Sequence, residues 1–429
     1  QSGSEDGLTP FSTLPRSVTC PGLHWWRQKW VRARLIRACD DGKAHYVYDL
    51  DTVRDRADML HRYLASVANF HYALKANENP AILRTLLDCG FAMECVSLAE
   101  IELVRAVLGA SAPVLFTPNF CPVGEYEAAY KLGATVTIDG PEILAQAPEV
   151  FRGREIALRV DPGKGRGHHE KVMTAGRDQK FGCLVEDVPA VVAAASALDA
   201  VVVGLHAHAG SGILEPDGWD LTMEQILVVL AMEGMARVRW VDIGGGLGIV
   251  NRESEHPLDL DDFSVHLRAF KTRLQSRGHD VELRMEPGRF LVAEAGVLVT
   301  PVTQIRRKLD TTFVGTCTGM NSLIRPALYS SAHHPIFNLS RFEVHEASLT
   351  HCAGREAAGE GKAEIDSRMM TAHVVGPICE TGDVLGTARA LPAATAPGDV
   401  LLVANAGAYG RVMSSWYNRR EPAAESWLR

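Results

Sequence analysis

NFHYALKA, residues Asn69–Ala76, carries the pattern on which the reading of the whole chain turns. A short apolar run ends in a lysine, stops at a polar residue, and gives way to a helical pattern. Working outward, the pattern recurs as FAMECV (Phe91–Val96), VLFTPN (Val114–Asn119), ATVTID (Ala134–Asp139) and IALRVD (Ile156–Asp161). It returns as VVGLHAHAG (Val202–Gly210), WVDIGGG (Trp240–Gly246) and VELRMEPG (Val281–Gly288). Between the runs lie amphipathic stretches such as Leu98–Leu108 and Val188–Ala197. Strands that alternate with helices pair in parallel, because each helix returns the chain to the edge it started from. Eight such units over roughly 220 residues match a (β/α)8 TIM-like barrel, with a doubly wound sheet as the alternative.

The polar residues support the barrel. Lys75, Glu94, Arg159, His208, Gly244 to Gly246 and Glu286 fall at or near the C-terminal ends of these strands. That end of such a barrel carries the chemistry, and the opposite end carries stability. After Glu294 the pattern changes to valine- and threonine-rich strands such as Val297–Ile305 and Val400–Ala404, without long helices between them. The expected organisation is an N-terminal extension (1–41), a barrel with a preceding strand (42–296) and a mainly β C-terminal domain (297–429). The preceding strand, His45–Leu50, is expected to pair with the barrel, and the polar section Cys352–Met370 reads as an exposed loop.

Bulk properties narrow the function. A net charge of −8 argues against a general nucleic-acid binder. No apolar run reaches the roughly 18 residues of a membrane span, and no secretory signal is visible. Nine cysteines without paired spacing fit a reduced, cytoplasmic protein. Gln1 is not a start methionine, which fits a piece of a longer polypeptide.

Several residues suggest chemistry. Lys75 must reach inward from its strand end, and desolvation is expected to lower its pKa and free an amine for a Schiff base. DIGGGLG (Asp242–Gly248) and HAGSG (His208–Gly212) could each bring backbone N–H groups to an anion, although a tight turn without a ligand explains either. EPGR supplies Glu286 and Arg289, a carboxylate and a permanently charged fork three residues apart. A structural salt bridge is the plainer reading of that pair.

YALKAN, HAHAGSG, DIGGGLG, EPGR, GPICETGD and GAY, in this order, resemble the fold-type III pyridoxal-phosphate decarboxylases. The resemblance spans roughly residues 44 to 425. MNSLIRPALYSSAH (Met320–His333), YNRREPAAE and GHHEKVMTAGRDQKFG (Gly167–Gly182) are most like the diaminopimelate branch. The resemblance implies pyridoxal phosphate as cofactor, with Lys75 as its covalent anchor and Glu286 at the ring nitrogen, where a carboxylate strengthens the electron sink. It places His208 against the ring, with Glu94 and Arg159 beside it, and Ser211, Gly245, Gly246, Gly288, Arg289 and Tyr409 around the cofactor and its phosphate. Arg325 and Tyr329 match grips for a distal carboxylate, with Arg289, Glu380 and Tyr409 also expected at the substrate. Cys379 and Glu380 match a pair given by the neighbouring subunit, which implies a homodimer with shared sites and Cys379 in the catalytic set. Lys180 is expected to face Asp383 of the partner subunit. Some relatives are fused behind an aspartate kinase, which would give a longer parent chain.

Departures are Cys317 and Thr318 before Gly-Met, Ala209, and Gly212; none removes a catalytic group, but all bear on substrate preference. The same chemistry on ornithine, arginine, a carboxylated polyamine or a siderophore precursor is the runner-up. An inactive binding homologue or a racemase is a further alternative. Glu286 argues against the racemase, because an arginine is expected there. No metal is expected: His168–His169 and His333–His334 are adjacent pairs without completing ligands. The basic cluster Arg27–Arg37 reads as a solvated helix face or a contact with a missing domain.

Overall fold

All eight runs form strands of one closed parallel barrel, seen in a computed structural model that describes residues 25–163, 166–167, 179–252, 254–346 and 367–428. After a first strand, β1 (His45–Tyr48), the barrel runs β2 (Asn69–Ala73), β3 (Ala92–Cys95), β4 (Val114–Phe116), β5 (Thr135–Ile138) and β6 (Glu155–Val160). It continues with β7 (Val201–Ala207), β8 (Trp240–Asp242) and β9 (Glu282–Met285). Each strand pairs with its neighbour in sequence, and β9 closes on β2 through Arg284–Asn69 and Met285–Phe70.

The two-residue period of a strand sorts side chains between two environments. Phe70, Tyr72, Met93, Phe116, Ile138, Leu158, Leu205 and Val241 join the large apolar core with the surrounding helices. Their alternates His71, Glu94, Thr137, Arg159, His206 and Asp242 are buried and polar. A small separate apolar cluster of Leu115, Ala157 and Trp240 sits among those alternates. Gly204 makes room for it, since a Cβ there would run into the Trp240 ring.

The helices begin where polar side chains can satisfy their free N–H groups. Ser97 accepts from Glu100 N at 3.3 Å, and Glu100 Oε2 accepts in return from Val96 N at 2.6 Å. This is close to a capping box, and such caps contribute about 1 kcal/mol each.

The second sheet holds β10 (Gly296–Lys308), β11 (Thr311–Thr316), β12 (Ile336–Asn338), β13 (Met369–Val375), β14 (Val384–Pro392), β15 (Val400–Val403) and β16 (Ala424–Trp427). Its order is β12-β15-β10-β11-β13-β14, with β1 antiparallel to β10 and parallel to β16. The expectation that β1 pairs with the barrel is therefore wrong. The barrel has no free edge, so β1 pairs instead with the first residues of the long β10, Gly296–Val299, which β11 meets only from Val302 onward. Val47 then faces a second apolar core with Val297, Val299, Phe337 and Leu402. The helix Lys29–Arg37 covers that core through Val31 and Leu35, helped by Trp26. Part of its basic face is paired, Arg27 with Glu346 and Arg32 with Glu343.

Of the section Cys352–Met370, Met369 already opens β13, and Cys352 to Asp366 lie outside the described residues. So do His168–His169 and most of the string Gly167–Gly182. Among the described residues no helix is long and apolar enough to cross a membrane.

Candidate active site

Lys75 stands in a 3-10 turn, Leu74–Ala76, directly after β2. Its Nζ lies 2.5 Å from Glu94 Oε2, at the end of the neighbouring strand. Glu94 is 1% exposed, and its other oxygen accepts from the Thr117 hydroxyl. The expected lowering of the Lys75 pKa does not occur. Burial pulls it down, but the charges of Glu94, Glu286 and Tyr409 outweigh burial and hold the ammonium above its ordinary value. A half-buried cation next to a buried anion keeps its proton.

Glu286 follows β9, and its backbone N–H donates to Gly244 O at 3.0 Å. Its Oε2 meets His206 Nε2 at 3.1 Å, while Oε1 is buried and has no hydrogen-bond partner among the described residues. Burial would raise its pKa, yet His206 and then Lys75 bring it down to about 2, so it is an anion with one oxygen to offer. His208 accepts from Gly245 N at 3.2 Å through Nδ1. Burial, reinforced by Arg159, brings the His208 pKa down to about 3 and leaves a neutral ring suited to stacking. Arg159 itself lies with Cζ 4.7 Å from the centre of the Phe181 ring.

The glycine turn after β8 needs its glycines. Gly244 and Gly246 take φ of +73° and +100°, and a Cβ on Gly246 would lie 2.6 Å from Gly210 O. Ile213 N donates to Gly246 O at 2.9 Å, tying this turn to the HAGSG loop. Arg289 Nη2 donates to Ser211 Oγ at 3.1 Å, and Arg289 Nε is buried without a partner among the described residues. Gly288 lies against Ala73 and Ala76, where a Cβ would come within 3.1 Å of both methyls, so EPGR packs directly on the Lys75 turn.

From the second sheet and its loops come the cation Arg325 and two phenols. The Arg325 guanidinium lies 5.4 Å from the Tyr329 ring and 5.8 Å from the Tyr409 ring; Arg289 lies 4.7 Å from the Tyr409 ring on its own account. Tyr409 holds a left-handed backbone (φ 55°), fixed by its N–H to Ala76 O at 2.8 Å, which links it to the Lys75 turn. Arg325 is 6% exposed and has no carboxylate partner among the described residues. Burial and the nearby Arg289 reduce its pKa only to about 10, so it stays charged.

Cys379 and Glu380 are not brought to this cluster within the chain. Both are exposed; Cys379 N bonds to Asn418 Oδ1 at 2.8 Å, and Glu380 accepts from the Tyr417 hydroxyl. Asp383 is not available to a partner's lysine. It is 3% exposed, and its oxygens already accept from Met320 N and Ile378 N at 2.6 and 2.7 Å. Its carboxylate braces two loops. His333 and His334 bond to the carbonyls of Asn251 and Ala404.

Three polar residues at this mouth escaped the sequence reading: Thr117, His206 and Asp242. The two-residue period could have found His206, which precedes His208 by two and therefore shares its face. A cavity of about 510 Å³ lined by Arg154, Arg239, Trp240 and Arg284 lies among residues at the other end of the barrel and holds none of these groups.

The donor set suits a flat, phosphorylated heteroaromatic aldehyde. There is an amine for the aldehyde, a carboxylate oxygen without a partner for a ring N–H, a neutral imidazole for the ring face, and glycine N–H groups with Arg289 for the phosphate. Residues 50–293 match the family described as pyridoxal-dependent decarboxylase, pyridoxal binding domain. The chain belongs to this family. Its cofactor is pyridoxal phosphate, and its reaction class is amino-acid decarboxylation. Diaminopimelate decarboxylase of Methanothermobacter thermautotrophicus is 33% identical over 409 residues, covering 92% of this chain and 89% of that one. The same enzyme of Escherichia coli strain K12 is 32% identical over 396 residues, covering 87% and 86%. The crystal structure of Helicobacter pylori diaminopimelate decarboxylase complexed with L-lysine matches with a TM-score of 0.75 at 26% identity, covering 90% of this chain and 91% of that one.

Proposed function

We propose that this decarboxylase converts meso-diaminopimelate to L-lysine and carbon dioxide. The observation that carries the proposal is Arg325, a buried cation beside Tyr329 and Tyr409 with no carboxylate partner among the described residues. A substrate with a second carboxylate supplies the missing anion, whereas ornithine or arginine does not. The relatives that share 32–33% identity over most of the chain are diaminopimelate decarboxylases, which supports the same substrate.

In this reading Lys75 would anchor pyridoxal phosphate, and its amine would be placed to carry a proton at the reacting carbon. Glu94 keeps that lysine positioned. The unpartnered Oε1 of Glu286 would accept a ring N–H, and the neutral His208, with Arg159 nearby, would cover the ring face. Ser211, Gly245, Gly246, Gly288 and Arg289 enclose the phosphate, with Tyr409 closing it. Bound there, the cofactor supplies an electron sink for the pair left behind as carbon dioxide departs.

Arg325 and Tyr329 hold the distal carboxylate. Cys379, as a proton donor, and Glu380, as acceptor for the distal ammonium, come from the neighbouring subunit of a homodimer. Their exposure, and their bonds to Asn418 and Tyr417 rather than to the Lys75 cluster, support that assignment. A cytoplasmic setting is in keeping with the free cysteines of the described chain.

Carbon dioxide release measured side by side on meso-diaminopimelate, ornithine and arginine tests the substrate. Diaminopimelate should dominate, and equal turnover of ornithine would refute the choice.

A further inference from the structure

Asp242 ends β8 with its side chain fully buried, and the site as described gives it no role. It stands in register with His206 on β7 and Arg284 on β9. One polar atom from each of Asp242, His206 and Glu286 lies within 4.8 Å of the others. Asp242 Oδ1 accepts from Gly244 N at 2.8 Å, while Oδ2 is buried and unpartnered among the described residues.

Two carboxyl groups this close and this dry do not both ionise. The surroundings decide which one keeps the proton. His206 Nε2 touches Glu286, not Asp242, and the Lys75 ammonium adds positive potential on the Glu286 side. Around the pair stand His71 from β2, Glu94 from the end of β3, and Arg284 from β9. Arg284 favours the charged form of Asp242, but Glu286 and Glu94 oppose it and burial opposes it most. Oδ1 already accepts an N–H, so the proton belongs on Oδ2.

We propose that Asp242 is a positioning residue that keeps a proton beside Glu286, so that one fixed negative charge stands at the cofactor's ring nitrogen. A second charge would compete for the His206 proton and for the ring N–H, and the electron sink would vary with pH. Asp242 does this while holding the glycine turn through Gly244, which couples the phosphate turn to the ring-nitrogen carboxylate. The role rests on the pyridoxal phosphate reading of the site; the proton itself does not.

Infrared spectra of the apoprotein at neutral pH test the proton directly. The carbonyl stretch of a protonated carboxylic acid should be present in the wild type and absent in Asp242→Asn. Lack of such a difference would overturn the proposal. Stoichiometric zinc uptake by the apoprotein that Asp242→Asn abolishes would also overturn it, because a metal-ligating aspartate is ionised. In the holoenzyme, the pH dependence of the cofactor absorption should be the same in Asp242→Asn as in the wild type. Asp242→Ala should retain cofactor about tenfold less well, the scale of one lost buried hydrogen bond. An Asn variant whose spectrum titrates differently from the wild type would show that the native residue is charged. Failure of the protein to take up pyridoxal phosphate would defeat the site reading and leave the infrared result to stand on its own.

Discussion

The two halves of the active site are built differently. In the barrel half, Lys75 bonds to Glu94, His206 to Glu286 and His208 to Gly245 at 2.5 to 3.2 Å, and neighbouring charges shift Lys75, His208 and Glu286. In the half supplied by the second sheet and its loops, the Arg325 side chain meets the Tyr329 and Tyr409 rings at 5.4 and 5.8 Å, and Cys379 and Glu380 are exposed. The closed barrel fixes strand ends relative to each other, so groups on successive strands are held for chemistry before any ligand arrives. Loops have no such constraint. They leave a buried guanidinium without a carboxylate partner among the described residues and two exposed side chains, Cys379 and Glu380. On the proposed assignment, the chemistry common to the family belongs to the barrel, and substrate choice to the groups outside it.

The largest expected effect comes from breaking the barrel half at its anchor. Lys75→Ala should abolish the borohydride-trapped cofactor link seen by peptide mapping and reduce turnover by roughly 1,000-fold or more, as expected for loss of a positioned proton carrier. Labelling of another lysine in the wild type would refute the anchor. Next, Glu286→Gln should retain cofactor but lose about 100-fold in kcat, since two to three kcal/mol of charge stabilisation at the ring nitrogen disappears. Turnover like that of the wild type would mean that the carboxylate does not set the sink.

The second half should respond differently. Arg325→Ala should keep both cofactor and its spectrum and lose at least tens-fold in kcat/KM for diaminopimelate, in line with about 2–5 kcal/mol for a truncated buried charge pair. If the cofactor spectrum changes as well, the separation of the halves is wrong. The smallest effect tests where the second half comes from. Mixing Lys75→Ala subunits with subunits carrying Cys379→Ala and Glu380→Ala, each inactive alone, should restore roughly a quarter of wild-type activity, because half of the dimers are hybrids with one intact site. No recovery under subunit exchange would place Cys379 and Glu380 outside a shared site.

The comparison also explains which features could be read in advance. The eight strands were legible because apolar runs with polar ends leave a period-two trace, from Phe70 and Tyr72 through to Leu283 and Met285. The residues that end those strands were legible for the same reason. The roles of Asp242 and His206 were not, because the two-residue period gives the face a polar residue shares but not which group it meets there. The pairing of β1 was missed because HYVYDL has a β pattern but carries nothing that names its partner. A closed barrel excludes it, and only the open sheet can accept it.

What the sequence determined by itself is therefore local and periodic: eight strand–helix units, the break after Glu294, and the placing of Lys75, Glu94, His208 and Glu286 at strand ends. What the tertiary structure decided is charge. Taken alone, Lys75 at the end of an apolar strand should lose its proton on burial, and Glu286 should gain one. In the fold the opposite directions hold, because Glu94 lies against the first and His206 against the second. Strand placement follows from each segment's own hydrophobic pattern. A protonation state depends on the few ångströms between groups distant in sequence, and those distances exist only once the barrel has closed.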